Sequence, residues 1–518
     1  MINIVGSGLA GLSCAINLAK KGIRSNLISV EESYRAQSVM AEGGINGALN
    51  TMNENDEVIY HIEDTLKGGA FLGSRKAIEG LCNGAIDIIY WLKDLGVPFE
   101  SKDGKIIQRN FGGQKNKRTA YVKSSTGKML MAAMIDEARK YEVSGLIKRY
   151  DHHEVYDLLI EDNNCTGLKM HDLFTGKAYE VKGPVVLATG GLTGMFPGLT
   201  TGSRENTGRL LSRLFSRGLK LANLEMIQYH PTTINISGKR LLVSEAARGE
   251  GARFMTYRNG EPYYFMEDMY PEMKNLVTRD VASRAIYRIE NDPDCKGIYL
   301  DMRHLDDSIW NGKLSDMREE LLDYLGVDIS KEIFEIKPGI HYFMGGIYVD
   351  DNHHTSFDNL YACGECACIY HGANRLGGNS LLGALYGGKV VSENIKDDNS
   401  DEIKEIENDY VSLSDSFSEK IKEILISGLG IVRDENTINK SINDIDELLN
   451  KDLSASEKEK CLLAKAMLLS ALNRKESRGA HYRSDYPETD DSYKKTGIVS
   501  YDGNEINVNY VDIDGGTR

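Results

Sequence analysis

The sequence has no uninterrupted apolar stretch approaching about 18 residues, which excludes a membrane-spanning helix by the usual length requirement. It also has no basic excess. Lys and Arg number 62 against 77 Asp and Glu, a formal net charge of −15. Such a chain repels nucleic acid and anionic lipid, so neither is expected as a partner. There is no C-x-x-C-H motif and no ferredoxin-like cysteine series, so no haem attachment and no cluster of that type are expected. Cysteines number eight in 518 residues. Cys363, Cys366 and Cys368 form C-x2-C-x-C, but a metal site would need a fourth ligand and usually a second pair, so no metal is expected and these read as buried thiols. The first strand pattern starts at residue 2 and leaves no room for a signal peptide. With reduced thiols, that points to the cytoplasm, any membrane association being made through a partner. Internal repeats and low-complexity tracts are missing as well.

What is present begins at once. The apolar run Ile2-Asn3-Ile4-Val5 reads as a strand, Gly6-Ser7-Gly8-Leu9-Ala10-Gly11 follows it, and Leu12 to Ala19 reads as a helix. This is G-x-G-x-x-G between strand and helix. The first Gly makes the tight turn, the second admits a pyrophosphate to the backbone, and the third lets helix and strand pack closely. The helix N-terminus offers its N–H groups to phosphate. Ser29 ends a second strand, and Glu31, 20 residues after Gly11, stands where an acid holds a ribose hydroxyl. The fold class expected is α/β, a doubly wound dinucleotide-binding domain.

At this length two or three domains are expected, and a hydrophobic fraction of 41% supports a large core. Residues 31–50 are small and glycine-rich, which suits close approach to a flat ring. Residues 150–182 alternate as strands, and Pro184 to Gly191 reads as a buried strand ending in another glycine turn. Residues 226–340 are mixed and read as an insertion. From Asp401 to about Lys475 the composition shifts to Glu, Lys, Ile, Leu and Ser at helical spacing, which reads as a separate helical bundle. The tail is expected to close with a hairpin around Asp502-Gly503, a two-residue turn.

Further motifs follow in order. They are Ser38-Val39-Met40-Ala41-Glu42-Gly43-Gly44, Ala188-Thr189-Gly190-Gly191, His230-Pro231-Thr232, Ser244-Glu245-Ala246-Ala247-Arg248-Gly249, Arg279-Asp280-Val281, His341-Tyr342-Phe343-Met344-Gly345-Gly346, Gly364-Glu365, His371 through Leu381, and Arg478-Gly479-Ala480-His481. In order and spacing they resemble the flavoprotein subunits of fumarate reductase and succinate dehydrogenase, relatives of L-aspartate oxidase. The resemblance implies FAD in a discontinuous domain of residues 1–225 and 345–400. It also implies an α+β capping domain at 226–344, a helical domain at 401–475 and a tail at 476–518. It implies that Gly6, Ser7, Gly8, Ala10, Gly11, Ser29, Glu31, Gln37, Ser38, Gly43, Gly44, Ala188, Thr189, Gly190, Glu365, Ser380 and Leu381 bind the cofactor.

The residue types fit the implied chemistry. A four-carbon dicarboxylate needs cationic or hydrogen-bonding partners at both ends. His230, His341 and Arg375 can supply them, with the Ser244 hydroxyl as a further donor, and the planar fork of Arg suits a carboxylate. Hydride transfer belongs to the flavin. By resemblance Arg279 donates the proton, and Glu245 and Arg248, three apart, form its relay to water. The expected reaction is interconversion of fumarate and succinate.

Three departures from the family pattern bear on this. Gln37 stands where respiratory members attach FAD through a histidine. An amide cannot form that link, so FAD is expected to be noncovalent, with a lowered potential that favours fumarate reduction. Arg209 follows Thr207-Gly208 where the family has an acid, which alters the adenosine-side contacts. Phe111 stands where L-aspartate oxidases carry a glutamate able to pair with the substrate ammonium, and it is expected to pack over the alkene. The alternatives are L-aspartate oxidase, converting L-aspartate to iminoaspartate, or a flavin electron-transfer subunit that works only in a complex. Electrons must come from a separate iron–sulfur subunit or a diffusible donor.

Overall fold

Ile2–Val5 is buried along its whole length and is the middle strand of a five-stranded sheet. The structure, a computed structural model, describes residues 1–513 apart from 237, 399, 401 and 411–414. The sheet order is Leu360–Ala362, Val185–Leu187, Ile2–Val5, Ser25–Ser29 and Ile147–Asp151, parallel at every pairing. Parallel neighbours need crossovers, and helix Leu9–Lys20 makes the first. It is buried on most sides because helix Asn379–Asn394 packs on it at Gly388, where a Cβ would lie 2.4 Å from the Ala10 carbonyl oxygen. The chain thus returns to its first domain after a long excursion, and the doubly wound α/β class stands.

His153–Glu161, Asn164–Asp172 and Ala178–Lys182 form an antiparallel sheet beside it. Its fourth strand is Ile403–Ile406, which pairs with Ala178–Lys182. These residues were expected to begin the helical segment. A charged edge strand alternates too briefly to show its period, and its Lys and Glu residues mimic a solvated helix face.

Residues 226–344 carry a second core, with Phe254, Phe265, Ile286, Leu300 and Trp310 inside it. Strands Lys239–Leu242, Ile227–Ile236 and Lys337–Phe343 form its sheet against the first domain. Helix Arg279–Glu290 packs on Ile227–Ile236. Phe111 from the first domain inserts into this second core.

Helices Asp415–Gly428, Glu435–Leu449 and Ala455–Asn473 follow. They do not stand apart as a bundle. Ile421, Leu425, Ile438, Leu463 and Met467 belong to the same continuous core as Ile4 and Leu187. The reason is Ala455–Asn473, in which no residue from 460 to 472 is exposed, so that this stretch must be covered on both sides. The tail hairpin exists, but Thr496–Tyr501 and Ile506–Val511 are joined by four residues, with Gly503 at φ +99°. Thr496–Tyr501 also pairs with Leu221–Ala222, so the tail completes a sheet of the first domain. Residues 401, 411–414 and 514–518 of the expected helical segment and tail lie outside the described residues.

Candidate functional site

The glycine turn builds one end of a cavity of about 310 Å³. Gly6 has φ +112°, and a Cβ there would strike the Ala188 carbonyl oxygen at 2.2 Å. Gly11 closes the packing behind, where a Cβ would meet the Gly6 carbonyl oxygen at 1.9 Å. Ser38 Oγ accepts a hydrogen bond from Leu9 N–H at 3.2 Å, which ties the small-residue loop to the helix start. The cavity is lined by Gly6, Ser7, Gly8, Ala10, Ser29, Glu31, Gln37, Ser38, Ala188, Thr189, Gly190, Glu365, Ser380 and Leu381. Gly11, Gly43 and Gly44 of the expected set do not line it. Gly43 lies against the Phe111 ring, and Gly44, at φ +137°, backs onto the Ala120 carbonyl. At each of them the missing Cβ leaves room for neighbouring chain. Arg209 does line the cavity, stacked 4.0 Å from the Tyr410 ring and paired with Glu154 at 3.4 Å. A glycine turn at a helix N-terminus, lining this cavity, fits a dinucleotide such as FAD.

At the other end the cavity meets His341 and Arg375. Behind them, outside the cavity wall, lie His230, Ser244, Glu245, Arg248, Arg279 and Phe111, every one buried. Arg279 opens helix Arg279–Glu290. Its Nε and Nη2 donate to Glu245 Oε2 at 2.9 and 2.7 Å. Arg248 Nη2 donates to Glu245 Oε1 at 3.0 Å, and Gly112 N–H joins at 3.2 Å. Glu245 begins the helical turn Ala246–Gly249, which puts Arg248 on its face. Gly377 permits this approach, since a Cβ there would lie 2.7 Å from Phe111 Cδ2 and 2.8 Å from Glu245 Oε2. The His230 and His341 rings lie 5.1 Å apart.

Charge in this enclosure is unbalanced. Arg248 and Arg279 share one carboxylate, that of Glu245, and Arg375 forms no ion pair among the described residues. Burial alone would raise Glu245, but Arg279 and Arg248 outweigh it and hold the carboxyl below its usual range. Burial, then Arg279, pushes Arg375 down to about 9. Burial and the same guanidiniums hold His230 and His341 well below the ordinary imidazole value, so both are neutral. Burial raises Glu365 to about 7. Two positive charges are left over, and buried polar atoms remain open: His230 Nε2 and Arg375 Nε have no hydrogen-bond partner among the described residues. An enclosure of this kind is complementary to a dianion.

Sequence reading missed two members. Gln228 is fully buried, and its Oε1 accepts from Arg279 Nη1 and Arg375 Nη2, each at 3.1 Å. Its Nε2 donates to Asn374 Oδ1 and to the Arg375 carbonyl. Gln228 carries no distinguishing sequence signal, because His230, Thr232, Thr233 and Asn235 are polar in the same strand. Thr201 shares a 2.7 Å hydrogen bond with His341 Nδ1 and has no local sequence signal. Cys366, of the cysteine cluster, is buried with its Sγ 3.2 Å from the Leu187 carbonyl oxygen.

A family model described as an FAD binding domain matches residues 2–381, and one described as fumarate reductase flavoprotein C-term matches 458–517. The chain belongs to the fumarate reductase and succinate dehydrogenase flavoprotein family. This flavoprotein is 36% identical to a succinate dehydrogenase flavoprotein subunit of Bacillus subtilis, over 96% of the chain and 94% of the relative. It is 32% identical to a fumarate reductase flavoprotein subunit of Mycobacterium tuberculosis, over 95% of the chain and 93% of the relative. Its fold is similar to that of E. coli quinol fumarate reductase FrdA, with a TM-score of 0.86 at 28% identity, covering 100% of this chain and 97% of that one. No helix among the described residues is long and apolar enough to cross a membrane.

Proposed function

We propose that this flavoprotein interconverts fumarate and succinate, carried by one observation: a buried enclosure with two uncompensated positive charges, opening on the dinucleotide cavity. Bound FAD would supply or accept the hydride. His230, His341 and Arg375 hold the two carboxylates, with Ser244 Oγ beside them. Clamping a carboxylate against Arg375 draws developing negative charge away from the carbon that exchanges hydride. Arg279 delivers the proton. Glu245 orients it through two hydrogen bonds and passes the proton on from Arg248.

L-aspartate fits less well. Phe111 offers no anion to an ammonium, and the Glu245 carboxylate is already taken up by two guanidiniums. Gln37 at the cavity supports noncovalent FAD, hence a lowered potential that favours fumarate reduction. Because both relatives named above are subunits, we take the electron partner to be a separate protein, an iron–sulfur subunit by the chemistry of one-electron supply. The test is a pair of assays on the purified chain loaded with FAD: fumarate-dependent oxidation of a reduced dye, and imino acid formation from L-aspartate. Faster turnover of L-aspartate would overturn the proposal.

A further inference from the structure

The cavity holds a cation that none of these roles uses. Arg240 lies on strand Lys239–Leu242 of the second domain and lines the cavity with Leu241 and Leu242. Its side chain crosses strand Lys337–Phe343 at Gly339, where a Cβ would sit 3.5 Å from Arg240 Cγ. His341 lines the same cavity. Arg240 Nε and Nη1 are buried without a hydrogen-bond partner among the described residues. Glu290 and Glu335 act on it only at a distance and do not offset the desolvation of its guanidinium. Arg240 as a whole is partly exposed, and Gly238 and Lys239 beside it are exposed, so it stands where cavity meets solvent. A buried, unpaired donor on a charged group is costly. One kept at the rim of a cationic cavity is complementary to an incoming anion.

We infer that Arg240 is the carboxylate-capturing residue of the substrate route: it engages a carboxylate of the entering dicarboxylate and speeds its passage to His341 and Arg375. This rests on the dicarboxylate reading above. In an acidic protein such a local cation is what overcomes long-range repulsion of a dianion, and rim charges act mainly on association rate and its salt dependence.

The test is stopped-flow binding of malonate, a dicarboxylate with no alkene to reduce, followed by the flavin absorbance change of the FAD-loaded protein. Arg240→Gln should lower the association rate constant about tenfold at low salt and flatten its dependence on ionic strength. Arg240→Lys should keep most of the rate, because it keeps the charge. Both should retain wild-type FAD content. Wild-type rate and salt dependence in Arg240→Gln, while Arg375→Ala has lost malonate binding, would overturn the inference and leave the dicarboxylate reading standing. Arg240→Lys behaving like Arg240→Gln would overturn it too. If the wild type shows no malonate-induced change, the dicarboxylate reading falls and takes this inference with it.

Discussion

Removing Arg279 separates proton delivery from substrate binding. Arg279→Ala deletes three hydrogen bonds: two to Glu245 Oε2, at 2.9 and 2.7 Å, and one to Gln228 Oε1, at 3.1 Å. Breaking a buried ion pair costs about 3–5 kcal/mol. The cost here falls at the low end, because Arg248 at 3.0 Å and the Gly112 N–H still hold Glu245. Burial, now opposed by one guanidinium instead of two, moves the Glu245 carboxyl up. His230, His341 and Arg375 keep their places, so dicarboxylate affinity should change by less than about fivefold, under about 1 kcal/mol. The rate should not survive. Positioned proton transfer contributes roughly 10²–10⁴-fold, or about 3–5 kcal/mol of barrier, so kcat should fall by at least about 10²-fold. Arg279→Lys keeps a charge but can satisfy only part of the Glu245 and Gln228 geometry, and should recover only part of the rate. Dicarboxylate binding is read from the flavin absorbance change and turnover from a reduced dye, with Arg375→Ala as the comparison that loses affinity. An Arg279→Ala enzyme with near-normal kcat, or with affinity lost as severely as in Arg375→Ala, would refute the assignment.

Acid precipitation of the FAD-loaded protein should leave the yellow colour in the supernatant, because Gln37 cannot form the covalent link; colour in the pellet would show otherwise. Phe111→Glu should weaken fumarate turnover, since it places an anion beside a dianion at low dielectric; unchanged turnover would remove Phe111 from the site. Gln228→Leu leaves two guanidiniums without their shared acceptor and should raise KM for the dicarboxylate and lower stability by about 1–3 kcal/mol, readable by urea unfolding. Glu365 has a folded-state value raised from 4.5 to about 7, so its favourable contribution is complete below about pH 4.5 and is lost as pH rises through about 7. The apoprotein should lose about 3 kcal/mol across that window through this group. Glu365→Gln should remove that slope from a plot of urea midpoint against pH, and an identical slope in both proteins would rule the group out.

The sequence by itself determined the cofactor end of the molecule. Gly6 and Gly11 are readable because a turn, a close approach and a helix start are local events, all within about ten residues. The residue types of the substrate end were legible for a similar reason, since His230, His341, Arg279 and Arg375 each sit in a short motif. What only the tertiary structure decided was how those motifs meet. Glu245 and Arg279 are 34 positions apart, and Gln228 reaches Arg279 across 51 and Arg375 across 147. The meeting of Gln228 with Arg279 depends on helix Arg279–Glu290 packing on Ile227–Ile236, and the place of His341 on the register of Ile227–Ile236 against Lys337–Phe343, which shifts between Gln228 and Tyr229. Periodicity cannot reveal such a shift, because it records which face a residue takes and not what lies opposite. The same limit hid Ile403–Ile406, whose strand state exists only because Ala178–Lys182 offers it an edge. It also hid the union of the C-terminal helices with the first domain's core. Burial of residues 460–472 all round that helix is a property of its neighbours, and no spacing within the helix encodes them.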